Sequence, residues 1–168
     1  SIDERIALMN KQYKLLCQYK KSMMQKIFSQ ALRFKDDNGK VFPEWTCKTI
    51  NDLGEIVGGG TPDTNSLLYW NGEIPWFTPS EIKEKFVSAS YRTITPEGLA
   101  TSSAKLIPAG TVLFTSRATI GDVAIAQYQC STNQGFQNIC VNKNNSNYFV
   151  YYLLCSLKNT FIRRGGGS

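Results

Sequence analysis

The 168-residue sequence contains no histidine, and this absence removes several classes of function. Every catalytic triad that relies on histidine is excluded, and so are most zinc sites, because imidazole is one of their main ligands. The five cysteines include no CxxC pair, are odd in number and lie mostly among apolar residues, which is typical of reduced structural thiols. We therefore expect neither a metal centre nor a disulfide framework.

Long apolar runs are also absent. The longest nearly unbroken run, Tyr148 to Cys155, is far too short to span a bilayer, and the N-terminal residues are typical of a charged helix rather than a signal peptide. We therefore expect a soluble, cytoplasmic protein without membrane contact. Once that helix is set aside, the remaining length suits one domain with its own core.

Acidic residues are scarce near the N-terminus, and this scarcity changes how the net charge of +6 is interpreted. Residues 1–30 contain six basic and two acidic residues, a net charge of +4, so the other 138 residues carry only +2. A uniformly basic DNA-binding surface is not indicated, and phosphate contacts outside the N-terminal segment must be local.

Glycine and proline are absent before Gly39, and the first thirty residues have the features of one long helix. Ser1 followed by Glu4 fits a capping box, and Asp3 and Glu4 suit the positive end of the helix dipole. A helix that continues to about Gln30 would be roughly 43 Å long at 1.5 Å per residue. Such a helix must protrude or find another helix.

This helix carries an apolar series whose spacing alternates strictly between four and three residues. A 3.5-residue repeat is typical of a coiled-coil seam and predicts a partner helix, whereas a helix on an ordinary core follows a 3.6-residue period. The alternative is an amphipathic helix packed on its own domain, because other apolar residues, such as Leu8 and Leu15, broaden the face. The predicted helix–helix interface consists of Ile2, Ile6, Met9, Tyr13, Leu16, Lys20, Met23 and Ile27, in which only Lys20 is not apolar.

The turn sequence Asp36-Asp37-Asn38-Gly39 separates the helix from a segment rich in β-branched and aromatic residues. We predict a spacer helix over residues 1–33, a linker over 34–44 and a compact domain over 45–168. The predicted fold class is α+β, with a mixed, largely antiparallel sheet and short helices beginning at Pro79, Thr95 and Asn147. Candidate strands cover residues 55–57, 74–78, 86–89, 111–116, 123–127 and 136–141.

Two patterns suggest catalysis but are incomplete. The glycines at 58–60 are followed by Thr61 without the Gly-Lys-Ser/Thr sequence of a phosphate-binding loop. Pro62-Asp63 with Glu81-Ile82-Lys83 matches the outline of the Mg²⁺-dependent PD…(D/E)xK nucleases. However, Pro79 predicts a helix start, and a helix would turn Glu81 and Lys83 to different faces. A nuclease stays a remote alternative, and we expect no enzyme activity.

Five stretches carry a resemblance to a known family. The run YKKSMMQKIFSQ at residues 19–30, continued by LRFKD at 32–36, resembles the central conserved helix of type I restriction-modification specificity subunits and the entry to their second target-recognition domain. The blocks GGTP at 59–62, IPWFT at 74–78, TSRATIG at 115–121 and STNQGF at 131–136 resemble recurring parts of such a domain. The resemblance covers essentially the whole chain.

The resemblance implies a non-catalytic reader of double-stranded DNA. In this family, two target-recognition domains each read half of a split site, and two conserved helices packed as an antiparallel coiled coil hold them apart. The partners are a methyltransferase subunit, which alone binds S-adenosylmethionine, and a motor-endonuclease subunit, which cleaves. The alternative is an assembly module whose helix binds the methyltransferase while its domain does not read DNA alone.

The chain departs from the family pattern because it has one recognition domain and one conserved helix, and it stops at Ser168. We expect a half-subunit, truncated naturally or artificially, whose residues 165–168 are either a natural loop or a linker. Two copies paired through antiparallel N-terminal helices would form a homodimer that reads a symmetric split site. Lys20 in the seam would disfavour some registers.

The candidate DNA contacts coincide with the family's blocks, because base and phosphate readout needs Arg, Lys, Asn, Gln, hydroxyls or exposed N–H groups. Arg117 is the first candidate, with an ion pair to Asp122 as its alternative role. The alternative roles are a tight turn for the glycines and stabilisation of a turn for the amides of 133–134. Lys83, Lys85, Tyr91 and Arg92 form a basic-aromatic patch whose alternative is a solvated face. The full set is Gly59, Gly60, Thr61, Lys83, Lys85, Tyr91, Arg92, Ser116, Arg117, Thr119, Asn133, Gln134 and Gln137.

Overall fold

The structure is a computed structural model that describes residues 1–165, and it contains two compact units. The first unit comprises Ser1–Thr46, and the second begins at Cys47. Among the described residues, no helix is both long enough and apolar enough to cross a membrane.

The first unit is built on one long helix, α1 (Ile2–Phe28). The predicted capping box is confirmed, because the Ser1 hydroxyl accepts a hydrogen bond from the Glu4 amide while the Glu4 carboxylate accepts one from the Ser1 amine. The helix ends two residues before the predicted Gln30, whose φ of 60° lies in the left-handed region and stops the helix. No residue of α1 is buried, and pairing along its seam stays a prediction.

The segment predicted as a linker folds into an ordered turn within the first unit. Lys35 and Val41 form an isolated antiparallel bridge, and the Asp36 carboxylate accepts hydrogen bonds from the amides of Asn38 and Lys40. The Arg33 guanidinium donates to the carbonyls of residues 42 and 43, at 2.6 and 2.7 Å. These bonds fold the segment against the residues that follow α1.

The second unit is a mixed, mostly antiparallel β-structure with two helices, which confirms the predicted α+β class. The helices are α2 (Pro96–Ala100) and α3 (Asn147–Gly165). The predicted helix at Pro79 is only a single 3-10 turn, Pro79–Glu81. The strands are β1 (Gly54–Gly58), β2 (Trp70–Phe77), β3 (Phe86–Val87), β4 (Arg92–Ile94), β5 (Val112–Phe114), β6 (Val123–Ala126), β7 (Ser131–Thr132) and β8 (Gln137–Val141).

The strands form two sheets with the orders β1-β8-β5-β6-β3 and β4-β2-β7. The pairs β2/β7 and β3/β6 are parallel, and the other four pairs are antiparallel. Residues of the central strand β5 alternate between the two faces of the larger sheet, as the period of two requires. Val112 packs with Val150 and Leu154 of α3, whereas Leu113 packs with Phe77 and other buried residues on the opposite face.

The smaller sheet has a core of its own. Trp70 and Trp76 are buried, and their rings meet edge to face with centroids 5.1 Å apart. Ile94 and Ala104 complete this cluster. Because both faces of the larger sheet are covered, the loops at the strand ends are the surfaces best placed for binding.

Candidate nucleic-acid interface

Four loops converge at one end of the second unit. Gly58 at the end of β1 pairs with Gln137 at the start of β8, and Phe114 at the end of β5 pairs with Val123 at the start of β6. The end of β2 joins the same region, because the Asn133 amide donates to the Phe77 carbonyl. We call this region the loop end and define it as residues 59–61, 78–81, 116–121 and 133–136.

Gly135 connects three of these loops. Its carbonyl accepts hydrogen bonds from the amides of Ser116 and Arg117, at 2.8 and 3.3 Å, and from the Ser116 hydroxyl at 3.2 Å. A Cβ atom at Gly135 would lie 2.7 Å from Cγ of Pro79 and 2.9 Å from Oδ1 of Asn133. The three loops can therefore approach one another this closely only because residue 135 has no side chain.

The glycine segment 59–61 is the fourth loop, and it is packed against residues 132–134. The Gly60 amide donates to the Thr132 carbonyl at 2.9 Å, and the Thr61 hydroxyl donates to Oε1 of Gln134 at 2.6 Å. The Gly60 carbonyl accepts from the indole N–H of Trp76 at 2.9 Å. The Gly60 N–H is therefore already used within the fold, which favours the tight-packing role of the glycines over a phosphate cradle at this residue.

Residues 116–121 form a tight, strained turn that presents Arg117 to solvent. Ala118 has a φ of 60°, which costs a residue with a side chain on the order of 1–2 kcal/mol. The Thr115 side chain closes the turn by donating to the Thr119 carbonyl, and the Thr119 hydroxyl lies 3.4 Å from the Pro79 carbonyl. Arg117 is exposed at the tip of this turn.

Asp122 forms its ion pair with Lys158 and not with Arg117, which was the alternative role considered for Arg117. Its carboxylate binds the ammonium group of Lys158 on α3 at 2.5 Å. A Cβ atom at Gly121 would lie 2.9 Å from Cγ of Lys158, so α3 packs directly against the turn. The carboxylate thus fixes the turn to the helix through Lys158.

Three polar side chains at 133–137 have different roles: Asn133 stabilises a turn, and Gln134 and Gln137 are exposed. Oδ1 of Asn133 accepts from the Gly135 amide at 2.8 Å, which is the turn-stabilising role considered from the sequence. Gln134 is exposed at the loop end with its Oε1 bonded to the Thr61 hydroxyl, and Gln137 is exposed at the start of β8. These two amides are therefore better placed than Asn133 to reach base edges.

The predicted basic-aromatic patch does not form one surface. The Lys85 ammonium group lies 4.4 to 5.6 Å from four aromatic ring centroids and donates to the Tyr152 hydroxyl at 3.1 Å. Three of these rings, Tyr148, Tyr151 and Tyr152, belong to α3, which begins at the end of the sheet opposite the loop end. Lys85 is thus a structural cation held by cation–π contacts.

The other members of that patch lie in different settings. The Arg92 guanidinium stacks on Trp70, 3.4 Å from the ring centroid, and Lys83 is exposed. Tyr91 is 90% exposed, and its amide donates to Oε1 of Glu81 at 2.7 Å. This bond places Tyr91 beside the loop end.

The candidate contacts predicted from the sequence did not include the basic residues near the end of α3. A Cβ atom at Gly165 would lie 3.0 Å from Cδ1 of Ile120, so the last turn of α3 lies beside the strained turn. Arg163 and Arg164 are exposed there. Residues 156–164 contain three basic residues and no acidic one, which could have indicated the site, but basic residues also favour a helix C-terminus through the dipole.

The geometry opposes the nuclease alternative. Oε2 of Glu81 accepts from both the amide and the hydroxyl of Thr78, each at 2.7 Å, and Oε1 accepts from the Tyr91 amide. Oδ1 of Asp63 accepts from the Asn65 amide at 2.9 Å. Within the described part of the chain, no group of three or more His, Cys, Asp or Glu residues is arranged to hold a metal ion. Both carboxylates thus stabilise local turns.

Comparisons with known proteins show the family to which the chain belongs. The family model for the type I restriction modification DNA specificity domain matches residues 43–168. The chain is 42% identical to the type I restriction enzyme MjaIX specificity subunit of Methanocaldococcus jannaschii, over 75% of this chain and 30% of that protein. It is 33% identical to the EcoR124I/EcoR124II specificity subunit of Escherichia coli, over 83% of this chain and 35% of that protein.

Solved structures support the fold independently. The crystal structure of the HsdS subunit from Thermoanaerobacter tengcongensis matches 94% of this chain and 39% of that chain, with a TM-score of 0.58 and 17% sequence identity. The chain therefore belongs to the type I restriction-modification DNA specificity domain family. It spans about a third of the length of the curated relatives it matches.

Proposed function

We propose that the chain is a non-catalytic reader of double-stranded DNA that acts as half of a type I restriction-modification specificity subunit. The observation that carries this proposal is the loop end, where Gly135 connects three loops and an exposed arginine stands on a strained turn. Rigid loops on a covered sheet are suited to reading a groove, because base contacts require side chains held in fixed positions.

The two kinds of DNA contact fall to different residues at the loop end. Arg117, with Arg163 and Arg164 beside it, is suited to phosphate oxygens or to a guanine edge. Gln137 carries an amide that matches the donor and acceptor pair of adenine, and the NH₂ group of Gln134, whose Oε1 accepts from Thr61, offers a further donor. Phosphate contacts would position the domain, and the amides would provide specificity.

The helix α1 is proposed to set the spacing between two readers. The first part of its seam is exposed, since Ile2, Met9 and Leu16 are 76, 68 and 66% exposed, whereas Met23 and Ile27 are half-buried. An antiparallel homodimer through this seam would place two recognition domains on one split site. The remaining faces of α1 are proposed to bind the methyltransferase subunit, which carries S-adenosylmethionine, and the motor-endonuclease subunit would join that assembly.

Selection from a random duplex pool tests the proposed function. We expect the chain to enrich a short sequence and to bind the enriched duplex more weakly as salt rises, because released counterions drive phosphate binding. Arg117→Gln should weaken binding roughly tenfold and reduce the salt slope by about one. Lys143→Gln is the matched control, because Lys143 is exposed in the turn after β8, at the opposite end of that strand.

The exposure of α1 also favours a second candidate, an assembly module that does not read DNA on its own. This candidate predicts methyltransferase binding through α1 without sequence enrichment by the isolated chain. Analytical sedimentation of the chain at tens of micromolar measures whether it self-associates through α1. We expect self-association that Leu16→Asp abolishes, and a strictly monomeric native chain would contradict the homodimer.

A further inference from the structure

Tyr91 is the most exposed of the large hydrophobic side chains that the structure describes, at 90%. The residue lies outside the three buried clusters of the described second unit. A tyrosine ring contributes a large apolar area when a ligand covers it, and tyrosine is enriched at binding surfaces for that reason. What could cover this ring depends on where the fold places it.

Strand pairing and two hydrogen bonds place Tyr91 beside the loop end in space. Arg92 on β4 pairs with Trp76 near the end of β2, so the residue before Arg92 lies next to the point where β2 enters the loop end. The Trp76 amide donates to the Ser90 hydroxyl at 2.9 Å. The Tyr91 amide donates to Oε1 of Glu81 at 2.7 Å, and Glu81 is itself part of the loop end.

Glu81 joins Tyr91 to the residue that follows β2. Its Oε2 accepts from the amide and the hydroxyl of Thr78, each at 2.7 Å, while its Oε1 accepts from Tyr91. Three donors therefore hold one half-buried carboxylate, and this carboxylate fixes the backbone of Tyr91 to the end of the strand. A segment that is fixed before binding loses less entropy when a ligand covers its side chain.

The neighbouring charges favour an apolar contact over a phosphate contact. Lys83 and Glu84, which follow Glu81 in the chain, are both exposed and opposite in charge. The guanidinium of Arg92 is stacked on Trp70, 3.4 Å from the ring centroid. The main feature that Tyr91 offers to DNA is therefore its ring, and the apolar group that DNA presents in the major groove is the methyl group of thymine.

From this arrangement we infer that the Tyr91 ring packs against a thymine methyl group in the bound half-site, and that Glu81 is the positioning residue that holds Tyr91 for this contact. The inference rests on the proposed function. It adds a thymine-specific contact to the arginine and amide contacts, because those groups hydrogen-bond and a methyl group cannot.

Replacement of each thymine by deoxyuridine, one at a time, tests the contact in the duplex that the native chain enriches. This change removes one methyl group and keeps the base pair. We expect the native chain to bind about fourfold more weakly when one particular thymine is replaced, as the loss of one buried methyl group requires. Fluorescence anisotropy titrations measure the affinities.

Variants of Tyr91 show whether this side chain makes the contact. Tyr91→Ala should bind the unmodified duplex at least about fourfold more weakly and should no longer distinguish thymine from uracil at that position. Tyr91→Phe keeps the ring and should keep the distinction. Tyr128→Ala is the matched control, because Tyr128 is 65% exposed and follows β6, whose first residue lies at the loop end and whose last residue does not.

Glu81→Gln tests the positioning role. A glutamine keeps one oxygen for the capping box with Thr78 and leaves an NH₂ group to face the Tyr91 amide, which is also a donor. We expect about threefold weaker binding and a smaller difference between thymine and uracil. In the Tyr91→Ala background the same substitution should change nothing further. Equal weakening in both backgrounds would overturn the positioning role.

The outcomes separate the thymine contact from the proposed function. An enriched duplex in which no thymine shows the difference, or a Tyr91→Ala variant that keeps it, would overturn the contact and leave the reader intact. A Tyr91→Phe variant as weak as Tyr91→Ala would assign the contact to the hydroxyl group and would also overturn it. Failure to enrich any duplex would remove the proposed function and the contact together. Thermal melting controls for folding, and Tyr91→Ala should melt with the native chain because the side chain is exposed.

Discussion

Adding a single methyl group at Gly60 should destabilise the second unit strongly. A Cβ atom there would overlap the backbone of Ser103 and Ala104, which cannot move as a flexible side chain can. Overpacking of this kind costs about 1–3 kcal/mol, and displacement of Gly60 would also weaken its bonds to Thr132 and Trp76 by about 1 kcal/mol each. We therefore expect Gly60→Ala to lower the free energy of unfolding by about 3 kcal/mol.

The assay is thermal unfolding followed by circular dichroism, with Gly58→Ala as the matched control. No atom lies within 4 Å of a Cβ built at Gly58, so this variant should stay within about 0.5 kcal/mol of the native chain. For a domain of this size, the loss at Gly60 corresponds to a fall in Tm of about 10 °C. Equal melting temperatures for the two variants would refute the close packing of the glycine segment.

Two further predictions concern Lys85 and Cys130. Lys85→Met should destabilise the chain by about 1–2 kcal/mol, because its ammonium group is held among four rings, and should leave DNA affinity unchanged. Lys143→Met is the exposed control in both melting and binding assays. Burial, with a smaller contribution from a neighbouring thiol, raises the pKa of Cys130 to about 12. Native Cys130 should therefore resist iodoacetamide at pH 8 while the exposed Cys17 and Cys47 react, as measured by mass spectrometry. Because the unfolded thiol loses its proton near pH 9 and the native thiol keeps it, the free energy of unfolding should fall as the pH rises above about 9.

Local signals in the sequence predicted much of the fold. The capping residues Ser1 and Glu4 marked the start of α1, and Thr95 marked the start of α2 as its N-cap. The strands β4 and β7 were missed, although β3 and β5 are equally short and were predicted within longer apolar runs. The two missed strands exist only through pairing with β2, and periodicity within the sequence cannot show a pairing between distant segments.

Features of the candidate site that depend on one loop could be predicted from the sequence, whereas features that depend on contacts between distant segments could not. The exposed position of Arg117 at a turn could be inferred from its neighbours in the sequence. The environment of Lys85 could not, because the rings around it include Tyr148 and Tyr152 of a helix more than sixty residues later. The role of Gly135 likewise depends on Ser116, which reaches it only in the folded sheet.

Amide hydrogen exchange with and without the enriched duplex tests the central claim that the loop end is the DNA-binding surface. We predict slower exchange over residues 59–61, 116–121 and 133–136 when DNA is bound. Residues 142–145, at the opposite end of β8, should exchange at the same rate in both states. Protection confined to α1 or to residues 142–145, with none at the loop end, would contradict the account.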